Sequence, residues 1–180
     1  KKEWNIGVDY SFFGNRMYGK FDYYRRKIDG MIYEVNVPQP PYPNGKQWQN
    51  IGEMESKGWE FEVGGDIIQN KDFTWTSSLN MSHNSGKILT MYGNNSRMDE
   101  PGWPGDAARI EEGAEIGAFH MWKFAGFDDK GDFLLYNKDG EVIPASQKSV
   151  DDKQYIGNYL PKVMMGWNNT FTYKNFDLGI

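Results

Sequence analysis

Residues 50–89 read NIGEMESKGWEFEVGGDIIQNKDFTWTSSLNMSHNSGKIL. This stretch decides the fold. It holds two long runs joined by the polar turn Gln69-Asn70-Lys71-Asp72. In the second run, Phe73, Trp75, Ser77, Leu79, Met81 and His83 alternate with Thr74, Thr76, Ser78, Asn80, Ser82 and Asn84. The first set is mostly apolar and the second entirely polar. A β-strand imposes that period of two, because successive side chains leave on opposite faces. The first run repeats the pattern. Trp59, Phe61, Val63 and Ile67 fall on one side, and Gly58, Glu60, Glu62, Gly64 and Asp66 on the other. Ordinary strands have about 5–6 residues. These runs reach the about 9–11 residues that a tilted strand needs to cross a bilayer.

The same alternation extends outward. In residues 3–13, Trp4, Ile6, Val8, Tyr10 and Phe12 oppose Asn5, Gly7, Asp9 and Ser11, and Gly14-Asn15 signals a tight hairpin. In residues 16–26, Met17, Phe21 and Tyr23 oppose Tyr18, Lys20, Asp22, Tyr24 and Arg26, and the strand is predicted to continue through Met31-Ile32-Tyr33. Pro38, Pro40, Pro41 and Pro43 then lack backbone donors, which predicts a loop near residues 36–50. A longer connection, residues 87–161, contains candidate short strands at 118–127 and 132–136 and the turn Asn137-Lys138-Asp139-Gly140. Residues 162–173 alternate again. Lys174-Asn175 forms another tight turn, and residues 176–180 open a further strand. Beyond the hairpins no internal repeat of fixed period stands out.

Composition agrees with an all-β chain. Of 180 residues, aromatics make up 16% and Gly contributes 21, while Leu and Ala are scarce. The net charge of -5 argues against a nucleic-acid partner. The chain has no Cys, which removes disulfides, thiolate metal sites and Cys nucleophiles. No run of about 18 apolar residues exists, so a membrane-spanning helix is excluded, but barrel strands are apolar on one face only and escape a hydropathy test. The mean hydropathy of -0.76 is compatible with such strands. The first residues, Lys1-Lys2-Glu3-Trp4, show no signal-peptide pattern, so an exported precursor is expected to begin upstream.

Short turns near Gly14, Asn70 and Lys174 alternate with the long loops. In an up-and-down sheet this puts all tight turns at one end and all long loops at the other, as in outer-membrane barrels. Trp4, Phe12, Phe73, Trp75, Phe171 and Tyr173 lie near strand ends, where interfacial girdles form. A soluble β-sandwich with one buried face is the alternative. Strand length and loop asymmetry favour the barrel.

The ordered series then resembles a family. Asn5-Ile6-Gly7-Val8-Asp9 and Asp22-Tyr23-Tyr24 are followed by Asn50-Ile51-Gly52, Lys57-Gly58-Trp59-Glu60-Phe61-Glu62 and Asp72-Phe73-Thr74-Trp75. Leu79-Asn80-Met81-Ser82-His83-Asn84 and Lys87-Ile88 come next. Ile156-Gly157-Asn158-Tyr159-Leu160-Pro161-Lys162, Gly166 and Tyr173-Lys174-Asn175-Phe176-Asp177-Leu178 close the series. In order and spacing these residues resemble the C-terminal barrel region of SusC/RagA-type TonB-dependent outer-membrane transporters, over nearly the whole chain. The resemblance implies a segment of an antiparallel, up-and-down, 22-stranded transmembrane β-barrel. It implies a plug and a TonB-contacting part, neither matched here, and a SusD-like lipoprotein lid. It also implies a dimer of transporter–lipoprotein pairs in the outer membrane of a Gram-negative bacterium. About five strands cannot close a barrel, and an open edge in lipid is not viable, so residues 1–180 are expected to be a partial barrel domain. The family's loop often carries an Asp-rich, calcium-loop-like run. Asn137-Lys138-Asp139-Gly140-Glu141 matches that spacing poorly, and a hairpin turn is expected there.

Candidate site residues fall in two groups. Glu60 and Glu62 share one strand face at about 7 Å between Cα atoms. Retaining glycosidases hold their carboxyl groups about 5–5.5 Å apart, so a catalytic pair is conceivable. A lumen-facing acidic patch with Asp66 is the favoured reading. In the loops, Trp48, Tyr92, Trp103 and Trp122, with Tyr42, are candidates to stack on sugar rings or pack on a peptide; the competing role is to anchor a loop. Asp99, Glu100, Asp106, Arg109, Glu111 and Glu112 form a mixed charge cluster, read as a solvated loop or, more sharply, as contacts for the lid. His83 and His120 are too few and too separated for a metal site or a triad; His83 is expected at the outer interface on the apolar face. No metal or cofactor and no covalent chemistry are expected. Three functions follow: TonB-driven import of oligosaccharides or oligopeptides, a soluble carbohydrate-binding or glycosidase-like β-sandwich, and a passive porin. The family series favours the first.

Overall fold

The computed structural model describes residues 1–40, 43–92, 97–99, 107 and 109–180, with the backbone alone at 97–99. Twelve strands run β1 (Lys2–Phe12), β2 (Met17–Asn36), β3 (Lys46–Gln69), β4 (Phe73–Met91), β5 (Arg97–Asp99), β6 (Arg109–Glu111), β7 (Ala118–Phe127), β8 (Phe133–Tyr136), β9 (Val142–Pro144), β10 (Lys153–Asn158), β11 (Met164–Tyr173) and β12 (Phe176–Gly179). No helix among the described residues is long and apolar enough to cross a membrane. The expected all-β, antiparallel architecture is what forms. β1, β2, β3, β4, β11 and β12 lie side by side in that order in one sheet. Its strands are neighbours in sequence except at β4–β11, where the whole stretch between Met91 and Met164 intervenes.

The chain divides into two compact units. Unit 1 comprises Lys1–Asp29, Glu55–Gly86 and Pro161–Ile180; unit 2 comprises Gly30–Met54 and Lys87–Leu160.

In unit 1, cross-strand pairing sorts side chains as the alternation predicts. Val8 faces Phe21 and Phe12 faces Met17, while Asp9 faces Lys20 and Glu3 faces Arg26. Further along the strand order, Leu79 faces Trp167 and Trp75 faces Phe171, while Ser78 faces Asn168 and Thr76 faces Thr170. The apolar face stays uncovered: Ile6, Val8, Met165 and Trp167 are all more than half exposed. The residues of this unit that are buried are glycines, Gly19, Gly58, Gly64 and Gly65.

Those glycines are slots. A β-carbon on Gly58 would stand 2.6 Å from the Tyr24 hydroxyl oxygen, and one on Gly64 would stand 2.9 Å from that of Tyr18. Tyr24 passes over Gly58 and donates to Asn84 Oδ1 at 3.0 Å, and Ser56 donates to the same oxygen at 3.1 Å. Bare glycine lets an aromatic ring lie flat across the strand and cover its backbone.

In the β4–β11 ladder the apolar face contains one polar pair, Ser77 opposite Asn169. Both are served by tryptophans. Trp75 Nε1 donates to Asn169 Oδ1 at 3.1 Å, and Trp167 Nε1 donates to Ser77 Oγ at 2.9 Å. The two bonds are diagonal and mirror one another across the pair, so each indole N–H finds an acceptor without leaving the apolar surface.

In unit 2, β10, β7, β8 and β9 form a four-stranded sheet, and β5 pairs with β6. A core forms here: Val35, Ile51, Ile88 and Met91 are buried, with Met31, Tyr33, Val37, Met54, Ile110 and Ile116 packed against them. Two successive hairpins use one turn. Asp128 Oδ1 accepts the amides of Lys130 (2.9 Å) and Asp132 (2.8 Å), and Asn137 Oδ1 accepts those of Asp139 (3.0 Å) and Glu141 (2.8 Å). Gly131 (φ 87°) and Gly140 (φ 84°) supply the left-handed residue at the same place in each. The hairpin turn expected at residues 137–141 is therefore present, with its side-chain oxygen turned onto backbone amides.

Candidate functional site

Glu60 and Glu62 stand on β3 on the polar face of unit 1. They border a depression of about 270 Å³ with Lys20, Asn80 and Ser82. Lys20 Nζ lies 3.5 Å from Glu62 Oε2. Asp66, the third acid expected on this face, accepts from Thr76 Oγ1 at 2.8 Å. The arrangement is an open polar surface of paired charges and amides. Glu60 is exposed on this face.

The described loop candidates are in unit 2, and two of them, Trp48 and Tyr92, occupy different settings. Trp48 projects from β3 and is 68% exposed. Tyr92 follows β4; its amide donates to the Ile51 carbonyl at 2.7 Å and its hydroxyl to Glu53 Oε1 at 3.3 Å. Trp103 lies outside the described residues, as do Tyr42, Glu100, Asp106 and the side chain of Asp99. Glu112 accepts the Met91 amide at 3.1 Å.

Arg109 and Trp122 come together on one face. The β7–β10 register places His120 opposite Tyr155 and Trp122 opposite Lys153. Residues 120 and 122 share a face of β7, because side chains alternate along a strand. Arg109 Nη1 donates to His120 Nε2 at 3.1 Å, which makes that ring nitrogen an acceptor. The His120 ring meets the Tyr155 ring edge-on at 5.0 Å, the Tyr155 hydroxyl donates to Glu111, and Glu111 lies 3.8 Å from Arg109. Two positions along β7, Trp122 donates through Nε1 to the Ser149 carbonyl at 2.6 Å. Lys148 and Lys153 place their ammonium groups 4.6 and 4.8 Å from its ring centre. The ring is thus held at its nitrogen and flanked by two cations. Tyr155 and Lys153 join this face through β7–β10 pairing, which links residues over thirty positions apart and leaves no local signal, and Lys148 joins it from the segment before β10.

Asp152 anchors the segment that carries Lys148. Its carboxylate accepts the amides of Ser149 (2.7 Å) and Lys138 (3.1 Å), and these bonds hold its pKa below the ordinary value of 3.8. The described residues include no cluster of three or more His, Asp or Glu arranged to hold a metal.

Comparison with known proteins places this architecture. The family model described as TonB dependent receptor-like, beta-barrel matches residues 2–173. TonB-dependent receptor P3 of Formosa agariphila is 32% identical over 99% of this chain and 19% of its own length. TonB-dependent receptor SusC of Bacteroides thetaiotaomicron is 30% identical over 97% of this chain and 18% of its own. Among solved structures, the RagAB peptide transporter superposes with a TM-score of 0.80 at 27% identity, covering 98% of this chain and 20% of that one. The RagAB peptide importer in its open-open state gives 0.81 at 28% identity. The chain spans about a fifth of the length of these relatives. It belongs to the TonB-dependent receptor β-barrel family, as a segment of the SusC/RagA type.

Proposed function

We propose that this chain is a stretch of wall and loops of an outer-membrane importer that takes up oligosaccharides or oligopeptides, driven by TonB. The observation that carries the reading is the distribution of apolar side chains in unit 1. They gather on one face, none is buried, and the other face is polar. Lipid outside and water inside demand that division from a barrel wall. The unit-1 portions of β2, β3 and β4 (residues 17–29, 55–69 and 73–86) each exceed the about 9–11 residues a crossing strand needs. On this reading Glu60, Glu62 and Lys20 line the lumen. The plug and the TonB-contacting part belong to other portions of the protein.

The Arg109–His120–Trp122 face is the favoured contact for substrate or for a SusD-like lipoprotein lid, with Trp48, Tyr92 and Trp103 as further candidates. Its mixture of a held aromatic ring and fixed charges suits sugar rings and peptide termini alike. RagAB, a relative in structure, is a peptide transporter. The expected assembly is a dimer of transporter–lipoprotein pairs in the outer membrane of a Gram-negative bacterium.

The test is intrinsic fluorescence of the full-length transporter reconstituted in vesicles of brominated phospholipid. Trp75 and Trp167 should be quenched, and Trp167→Phe should reduce the quenchable fraction. An unquenched Trp167, or a sheet that stays folded and monodisperse without detergent, overturns the membrane reading. Uptake assays with labelled peptides and glycans, run on Trp122→Ala, then ask which ligand class the loop face serves.

A further inference from the structure

The apolar face of unit 1 is not flat. Beside the turn between β1 and β2 it carries a groove of about 470 Å³, walled by Phe13, Met17, Val63 and Leu79. The floor is Gly65 and Ser77. Arg16 stands at the rim. A volume of this size lies within the about 300–1,000 Å³ typical of small-molecule sites, and an apolar lining with one charged group is their usual chemistry.

The groove has a structural cause. The Asp66 amide donates to the Arg16 carbonyl at 2.9 Å, and a β-carbon on Gly65 would collide with that same carbonyl oxygen. Close approach of the β1–β2 turn to β3 therefore requires glycine at 65. The turn backbone takes the space a side chain at 65 would fill, and the same contact brings Arg16 to the edge of the groove. Ser77 on the floor is already engaged, its oxygen accepting the Trp167 indole N–H. Every lining residue belongs to β2, β3, β4 or the turn, and each of those strands has a neighbour on both sides, so the floor is complete within this chain.

Arg16 is the telling residue. Its guanidinium reaches only the Asp66 carbonyl, at 3.5 Å, and forms no ion pair among the described residues. A cation at the end of an apolar groove, on a face turned to lipid, complements an amphiphile with an anionic head and a hydrocarbon tail. We propose that this groove is a binding site for one glycerophospholipid, with an acyl chain along Val63, Gly65 and Leu79 and the phosphate on Arg16. The proposal rests on the membrane-wall reading above.

The experiment is native mass spectrometry of the full-length transporter, released from nanodiscs of phosphatidylethanolamine and phosphatidylglycerol. The parent protein should retain one phospholipid per protomer. Arg16→Glu should lower the retained fraction at least threefold, and Val63→Trp, which fills the groove, should do the same. Should Val63→Trp fail to assemble, Val63→Phe replaces it, with assembly checked by heat-modifiable migration. Lys174→Glu, a charge reversal at a different tight turn, should leave retention unchanged. Equal retention in all variants overturns the proposal. So does a second transporter in place of the lipid, lost on Val63→Trp. Brominated-lipid quenching of Trp167 in the same samples separates the two failures. Quenching with no retained lipid sinks the groove alone, and no quenching sinks the membrane wall beneath it.

Discussion

Ile51 and Ile67 belong to the same strand, β3, yet Ile51 is 1% exposed and Ile67 is 53% exposed. The first lies in unit 2 and the second in unit 1. Every buried apolar side chain among the described residues falls, like Ile51, in unit 2: Val35, Ile88, Met91, Ala107, Ala118 and Leu135 complete the set. Unit 2 carries its own hydrophobic core. Unit 1 has hydrogen-bonded ladders, tyrosine-filled glycine slots and an apolar face with no protein over it. A strand can thus pass from one folding environment to another without interruption. Only the destination of its side chains changes.

That difference can be broken by substitution in the whole transporter. The largest effect is expected at the core. Ile51→Ala should cost about 2–5 kcal/mol through lost burial and the cavity left behind. Hydrogen exchange should rise across residues 30–54 and 87–92, with residues 73–84 unchanged. On the apolar face of unit 1 the decisive change is charge rather than volume. Leu79→Arg should cost about 2–4 kcal/mol near the middle of the bilayer. Asn80→Arg, one residue along and on the polar face, should assemble normally. The outer-membrane abundance of the two variants reads this directly, and equal abundance would contradict the assigned faces.

A smaller effect is expected from the tryptophan pair. Trp167→Phe keeps the ring but removes the donor to Ser77, at about 0.5–1.5 kcal/mol. The loss should be recovered in part by Ser77→Ala in the same chain, since that removes the orphaned acceptor. Glu62→Gln breaks only the open pair with Lys20 and should change stability by less than about 1 kcal/mol. Its readout is uptake rate against ionic strength. Last is the acid response of unit 2. Because its backbone donors hold the folded-state pKa of Asp152 below 3.8, its contribution is present above the unfolded value. It is lost as pH falls through the lower folded value. Amides of Lys138 and Ser149 should therefore keep their exchange protection at pH 5 and lose it only below pH 3.8. Asp152→Ala should lose it at every pH.

The sequence was legible where the information is local. Alternation around Phe73 and Trp59 marks the strands and both faces, and Gly14, Asn70 and Lys174 mark the turns. The candidate short strands at 118–127 and 132–136 form almost as spaced. Features that depend on register were not legible. Nothing near Gly58 announces that Tyr24 will cross it, and nothing near Arg109 announces His120. The core residues Ile51 and Ile88 were not marked: Ile51 precedes the alternating run around Trp59, and Ile88 falls in the stretch read as a long connection. The twin turn is a different case. Asp128-Asp129-Lys130-Gly131-Asp132 and Asn137-Lys138-Asp139-Gly140-Glu141 write the same spacing twice, a signal the eye passes over because it is only five residues long. For the acidic pair, spacing alone left catalysis conceivable beside an acidic patch, and the structure places Glu60 exposed on an open polar face.

The pairing of β4 with β11 has a consequence for how such chains change over time. The stretch between Met91 and Met164 must be looped out before the two strands can join. The entropic cost of closing a loop grows only as the logarithm of its length, about 0.6 kcal/mol for each doubling. The ten-residue ladder from Met164↔Ser82 to Tyr173↔Phe73, with its paired tryptophans, fixes the junction whatever is inserted above it. Insertions and deletions in that stretch are therefore nearly neutral for the sheet, while they redraw whatever the loop meets. Chains sharing this ladder are free to trade one intervening stretch for another at little thermodynamic cost.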